Sequence, residues 1–290
     1  MFNGALSAIV TPFRDGEVDE RALRDHIEWQ IQSGIDGLVP CGSTGESATL
    51  THDEHDRVIK ITIEQARKRV PVVAGTGSNS TAEAIRLTVA AREMGADGAL
   101  LISPYYNKPT QDGIFRHYKM IAAAVDLPLL VYNIPGRTGS NIVPETFARL
   151  CEIRNIVGIK EAAGSMDQIS DIRRLCGDRL TILSGDDALT LPAMALGGKG
   201  VIATSSNVIP REMHELAAAA LAGDFARAKE IHYQFLPLMR ALFLETNPIP
   251  LKHALGLMGK CSPELRMPLT QLSAPAADKL RAAMKEAKLI

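Results

Sequence analysis

The stretch Val70–Ser103, VPVVAGTGSNSTAEAIRLTVAAREMGADGALLIS, holds two short apolar runs separated by one amphipathic segment. Val70 to Gly75 and Gly98 to Ser103 are rich in Val, Leu and Ala and do not alternate cleanly between polar and apolar residues. Strands of that kind have both faces covered, as in a parallel sheet under helices. Between them, Ser80 and Glu83 stand at the spacing of a capping box, and Gly95 lies where the helix should stop. The turn Gly75-Thr-Gly77-Ser-Asn-Ser80 approaches a dinucleotide-binding fingerprint but lacks its third glycine. The stretch therefore reads as a strand–helix–strand unit, and not one from a nucleotide-binding doubly wound sheet.

The same alternation runs outward in both directions. Apolar runs recur at Leu6 to Thr11, Gly37 to Cys41, Leu127 to Tyr132, Ile156 to Lys160, Leu180 to Ser184 and Gly200 to Thr204. Asp19 can cap a helix carrying Leu23, Ile27 and Ile31 on one stripe. Thr51 with Glu54 and Ser165 with Gln168 fit further capping boxes. Pro144 and Pro210 suit a first helical turn, and Gly34 a helix end. Eight such units predict an α/β fold, a closed (β/α)8 TIM barrel, over residues 1–223. After the eighth run the pattern is helical only, as in Glu212 to Ala222 and Asp278 to Ala287. Residues 224–290 are predicted to form a C-terminal helical extension packed on the barrel, since no Gly- or Ser-rich linker separates them. A length of 290 residues suits one domain of this class.

Composition narrows the class of ligand. The net charge is -1, with no long block of either sign, which argues against nucleic acid or a membrane surface as partner. No apolar run approaches a membrane span, and Met1 to Asp15 lacks the pattern of a signal peptide. Cys41, Cys151, Cys176 and Cys261 are far apart without CxxC spacing, which reads as reduced, cytoplasmic usage. Small metabolites remain as ligands.

A barrel enzyme builds its site at the carboxyl ends of its strands. Those ends here collect Gly42-Ser-Thr-Gly-Glu46, Thr76, Tyr105-Tyr-Asn107, Tyr132-Asn133, Lys160-Glu161 and Ser184-Gly-Asp-Asp187. Lys160 ends a run that should be buried. An ammonium there is costly unless it is paired or shifted towards the neutral amine, the form that makes imines with carbonyl compounds. The alternative is an ion pair with Glu161 or Asp186. Tyr132 ends the neighbouring strand, so its hydroxyl can relay protons to the lysine nitrogen, held by a hydroxyl such as Thr44. Its alternative is a core aromatic satisfied by backbone. Ser43 and Thr44 can present donors to a carboxylate or merely cap the next helix.

Together, Gly42-Ser-Thr-Gly-Glu46, Tyr132-Asn-Ile-Pro-Gly-Arg-Thr-Gly139 and Gly158-Ile-Lys-Glu161 resemble the class I pyruvate-dependent aldolase superfamily. The resemblance runs from Ala8-Ile-Val-Thr-Pro12 to Asn247-Pro-Ile-Pro250. Arg137, in place of a loop salt bridge, points within it to the dihydrodipicolinate synthase branch, where an arginine in this motif holds the carboxylate of aspartate 4-semialdehyde. The resemblance implies that Lys160 forms the pyruvate imine and that Ser43 and Thr44 hold the pyruvate carboxylate. Tyr132 then shuttles protons with Thr44 and Tyr106, and Gly185 and Ile202 line the pocket. It implies no metal or organic cofactor. Tyr106 is expected to enter a neighbouring subunit's site, in a homotetramer built as a dimer of dimers. A regulatory lysine site is implied at Ser47, Ala48, His52, His55, Asn79, Glu83 and Tyr105, although Glu83 also fits the capping box. Two rivals stay open: a lyase of the same superfamily acting on a sugar acid, against which Arg137 argues, and a non-catalytic metabolite binder, against which the joint presence of Lys160, Tyr132 and Thr44 argues.

Overall fold

The structure, a computed structural model, describes residues 2–290; the first residue of the span expected for the barrel lies outside it. Eight parallel strands form the barrel: β1 (Gly4–Ala8), β2 (Gly37–Val39), β3 (Val73–Gly75), β4 (Gly98–Ile102), β5 (Leu129–Asn133), β6 (Ile156–Glu161), β7 (Thr181–Ser184) and β8 (Gly200–Ala203). Their order, β2-β1-β8-β7-β6-β5-β4-β3, is that of a ring. A parallel bridge between Leu38 and Val72, with the Gly75 amide donating to the Pro40 carbonyl at 2.9 Å, joins β2 to β3 and closes it.

The helices are α1 (Glu20–Gln32), α2 (His52–Ala66), α3 (Thr81–Met94), α4 (Gln111–Ala124), α5 (Pro144–Leu150), α6 (Met166–Cys176), α7 (Thr190–Ala195) and α8 (Pro210–Leu221). Three more follow: α9 (Phe225–Ala241), α10 (Ile249–Leu257) and α11 (Ala274–Glu286). Strand residues pack on two sides, as the unbroken apolar runs require. Leu6, Val39, Leu100, Leu130, Leu183 and Ile202 fill one buried cluster with Tyr132. Ala99, Leu101, Leu129 and Val131 pack instead with Ile114, Tyr118 and Phe147 of the surrounding helices. The C-terminal helices join the remaining core: Leu238, Leu251 and Leu280 share a cluster with Leu23 and Ile27 of α1.

The expected runs all become strands, with shifted edges. The run at Val70 first pairs at Val72, through its bridge to Leu38, and becomes β3 from Val73; Pro71 has no N–H to give a ladder. A two-stranded hairpin, Phe13–Arg14 with Glu17–Val18, has no counterpart in the sequence reading, because two-residue strands carry no period. Asp19 caps α1, and Thr51 with Glu54 forms the full reciprocal box. The other two boxes are half formed. Ser80 and Ser165 each accept the expected amide, but the Glu83 side chain turns to His52 and Ser78, and Gln168 turns to Glu161 and Asn141. Both side chains are drawn away from their own helix starts by polar groups that neighbouring segments bring close.

Candidate active site

Lys160 sits next to last on β6, in register with Tyr132 on β5, and its Nζ lies 4.4 Å from the centroid of the Tyr132 ring. It is 7% exposed. Burial disfavours the ammonium, and the amine is pushed down to about 8; the nearby charge of Asp187 opposes that shift and Arg137 adds to it. The carboxylates weighed as partners are engaged elsewhere. Glu161 accepts from the Asn133 and Gln168 side-chain amides and from the Ala163 N–H. Asp186 accepts from the Ala188 amide at 3.0 Å. Asp187 accepts from the Thr204 and Ser205 amides, at 3.1 and 2.6 Å. The ion-pair alternative for Lys160 falls away.

Gly185 follows β7 directly and lies flush against this lysine. A Cβ there would stand 2.7 Å from the Ala162 Cβ and 3.0 Å from both Cγ and Cε of Lys160, so any larger residue would force these neighbours to shift. Gly185, Lys160, Tyr132, Thr44, Arg137 and Asn247 all line a cavity of about 50 Å³. Ile202 does not line it. It is buried in the barrel's inner cluster, and Thr204 is the β8-side residue that reaches the cavity wall.

The loop after β2 is folded onto itself. The Gly45 amide donates to the Gly42 carbonyl at 3.1 Å and the Glu46 amide to the Ser43 carbonyl at 3.2 Å, while Thr11 Oγ1 donates to the Gly45 carbonyl. Among the described residues, the Ser43 and Thr44 amides have no protein acceptor, and both residues line the cavity. Successive free amides of this kind suit a carboxylate. Neither residue caps α2, a role taken by Thr51.

Tyr132 is 6% exposed, and burial pushes its phenol well above the ordinary value, so it is a neutral donor and acceptor at working pH. It is not a backbone-satisfied core tyrosine. Tyr118 fits that description, donating to the Leu101 carbonyl at 3.0 Å. The Tyr132 phenol was expected to be held by Thr44; instead Thr44 Oγ1 accepts from Asn247 Nδ2 at 3.0 Å, which leaves the Thr44 hydroxyl proton free to be donated. Arg137, on a helical turn at Pro135–Thr138, makes no loop salt bridge and donates from Nη2 to the Asn247 carbonyl at 2.9 Å. Tyr106 is 89% exposed and does not line this cavity.

A larger cavity of about 540 Å³ adjoins the first and shares Ser43, Tyr132, Arg137 and Asn247 with it. Its far wall carries Ser47, Ala48, His52, His55, Glu83 and Tyr105. Asn79 is not in the lining but donates to the Tyr105 carbonyl at 3.1 Å. The Glu83 carboxylate is held low first by its contact with Ser78 and then by His52, whose Nε2 lies 2.9 Å away. His55 is buried, which pushes its imidazole down, and its Nε2 lies 2.9 Å from the Gly75 carbonyl.

Sequence reasoning assigned no role to Asn247, which touches both Thr44 and Arg137, or to Asp187, named only among the strand-end residues, whose charge acts on Lys160. Asn247 lies beyond the last strand, where no strand-end rule looks. The one available signal was the Asn247-Pro-Ile-Pro250 run, a rigid segment with no reason to be so if it were a plain helix linker.

Comparison with known proteins agrees with this geometry. Residues 1–287 match the model of the dihydrodipicolinate synthetase family. The 4-hydroxy-tetrahydrodipicolinate synthase of Syntrophus aciditrophicus is 59% identical over the full length of both chains. The crystal structure of the chloride-inhibited dihydrodipicolinate synthase from Acinetobacter baumannii, complexed with pyruvate, superposes with a TM-score of 0.98 at 46% identity, covering all of both chains. That of the Cyanidioschyzon merolae enzyme with lysine bound gives 0.97 at 42% identity, covering 100% of this chain and 99% of that one. Matched over residues 1–287 by the family model and over its full length by the Syntrophus aciditrophicus relative, the protein belongs to the dihydrodipicolinate synthetase family of Schiff-base-forming lyases.

Proposed function

We propose that this enzyme condenses pyruvate, held as an imine on Lys160, with aspartate 4-semialdehyde to give 4-hydroxy-tetrahydrodipicolinate, working in the cytoplasm on the route to diaminopimelate and lysine. The observation that carries the reading is the buried Lys160 amine, free of any carboxylate contact and beside Tyr132. At pH 7 an amine titrating near 8 is about one-tenth neutral, roughly 300-fold more than one at the ordinary value of 10.5. That fraction is the nucleophile.

The Ser43 and Thr44 amides take the pyruvate carboxylate, which brings the keto carbon to the amine. Tyr132, with Thr44, carries the proton to the departing hydroxyl and withdraws one from the methyl group, turning imine to enamine. Arg137 offers its fork to the semialdehyde carboxylate, so the enamine carbon meets the aldehyde. The substrate amine then attacks the imine carbon, closes the ring and releases Lys160. Tyr106, so far out from its own chain, acts from a neighbouring subunit within a dimer or a homotetramer. The larger cavity, with Glu83 for an ammonium and Ser47, Ala48, His52, His55, Asn79 and Tyr105 around it, takes lysine as an inhibitor. The names of the relatives, and the lysine-bound and pyruvate-bound structures, support this reading.

Three outcomes are expected. In a coupled assay, pyruvate with aspartate 4-semialdehyde turns over and N-acetylneuraminate is not cleaved; Arg137→Ala lowers kcat/KM for the semialdehyde about 10- to 100-fold, the scale of losing charged hydrogen bonds. Pyruvate-imine formation survives that change, and preferred cleavage of the sugar acid contradicts the reading. Because the neutral amine attacks, imine formation at limiting pyruvate rises about tenfold per pH unit below 7 and levels off above about 8. A rise centred at the ordinary lysine value of 10.5, followed by stopped-flow trapping, argues against a tuned Lys160. Millimolar lysine lowers turnover of the pure enzyme; full activity at saturating lysine removes the regulatory role.

A further inference from the structure

We propose that Glu46 and Lys252 are a positioning pair: their contact beneath the active-site loop fixes the peptide that presents the Thr44 amide to the cavity. The inference rests on the reading in which that amide receives the pyruvate carboxylate.

The two side chains are shut away from solvent, Lys252 at 0% and Glu46 at 1% exposed, with Nζ 2.5 Å from Oε1. Lys252 comes from α10, in the C-terminal helices, and Glu46 ends the loop that follows β2. Both members make further contacts with neighbouring segments. Lys252 Nζ donates to the Glu264 carbonyl at 2.9 Å and lies 4.0 Å from the centroid of the Phe13 ring. Glu46 Oε2 accepts from the Arg266 amide at 3.1 Å. The Arg266 guanidinium in turn binds the Thr49 carbonyl and Glu54, so the turn after Glu46 is gripped from the same side.

Stability is a poor explanation for this arrangement. Taking an ion pair out of water costs about as much as the attraction returns, and well-packed apolar residues usually do as well. Burial pushes the Lys252 amine down, against the pull of Glu46. Glu46 also holds left-handed backbone, with φ at 52°, which residues with a Cβ avoid. What the pair does secure is the place of one backbone amide. The Glu46 N–H donates to the Ser43 carbonyl. That carbonyl and the Thr44 N–H belong to one planar trans peptide and point in opposite directions. Drawing the Ser43 carbonyl towards Glu46 therefore turns the Thr44 N–H away from it, and that N–H has no protein acceptor. The Thr44 side chain is held by Asn247, five residues before Lys252. Residues 247–252, which lead into α10, thus hold both the backbone and the hydroxyl of Thr44.

The test replaces both charges at once, Glu46→Gln with Lys252→Met, so that neither is left buried and alone. The expected result is a melting temperature within a few degrees of the unaltered enzyme and a pyruvate half-saturation raised about tenfold or more. The limiting rate of imine trapping by borohydride should fall less than about threefold, and its pH midpoint should stay, because Lys160 is untouched. A merely structural pair would not separate half-saturation from limiting rate in this way. If the double variant does not fold, Glu46→Asp keeps the charge and shortens its reach by one methylene; it should raise the half-saturation in the same direction. An unchanged pyruvate half-saturation in either folded variant overturns the proposal. Absence of any pyruvate imine in the unaltered enzyme instead contradicts the proposed reaction, and the pair's role with it.

Discussion

An amine removed from water without a counter-charge in contact is the constraint on which the site depends. Lys160 is surrounded by barrel wall, the Tyr132 ring and the Gly185 backbone, and none of these can stabilise an ammonium as water does. The group answers by giving up its proton more readily. Asp187 keeps the shift moderate: its charge acts on Lys160 while its oxygens are tied to the Thr204 and Ser205 amides, so it cannot swing into contact. A closer carboxylate would hold the lysine charged and inert as a nucleophile.

The fold serves this constraint by keeping the wrong groups away and the right ones close. Glu161 is next to Lys160 in sequence and alternates to the other face of β6. There it is buried among the amides of Asn133 and Gln168, and Asn133 Oδ1 accepts from the Ile142 amide. The carboxylate that might have neutralised Lys160 thus anchors the segment carrying Arg137. On the opposite side of the cavity, Asn247 joins Arg137 to Thr44 across chain separations that no local pattern spans. Residues from the ends of β1, β2, β5, β6, β7 and β8 and from the segment between α9 and α10 meet in a cavity of about 50 Å³, small enough that a misplaced side chain would fill it.

The barrel was legible because its signal is repetition: each unit is local, and runs buried on both faces look alike wherever they occur. Lys160 was legible for the opposite reason, as a charge at the end of such a run, and Tyr132 and Arg137 because their motif is contiguous. What could not be read depends on contacts between distant segments. The capping-box spacing of Glu83 and Gln168 is real, yet polar groups brought in by other segments outcompete the local bond. Glu46 looks like a solvated loop acid until Lys252 arrives from the C-terminal helices. Ile202 was expected in the pocket by resemblance, but the cavity wall on that side is Thr204.

The central claim is that one particular amine is the nucleophile, and chemical trapping addresses it directly. The enzyme is incubated with pyruvate, reduced with borohydride, digested and mapped by mass spectrometry. With Lys160 as the nucleophile, a single pyruvate-derived increment appears on the peptide that contains it. An increment on the peptide of Lys252, the other fully buried lysine among the described residues, or no increment at all, would contradict that role.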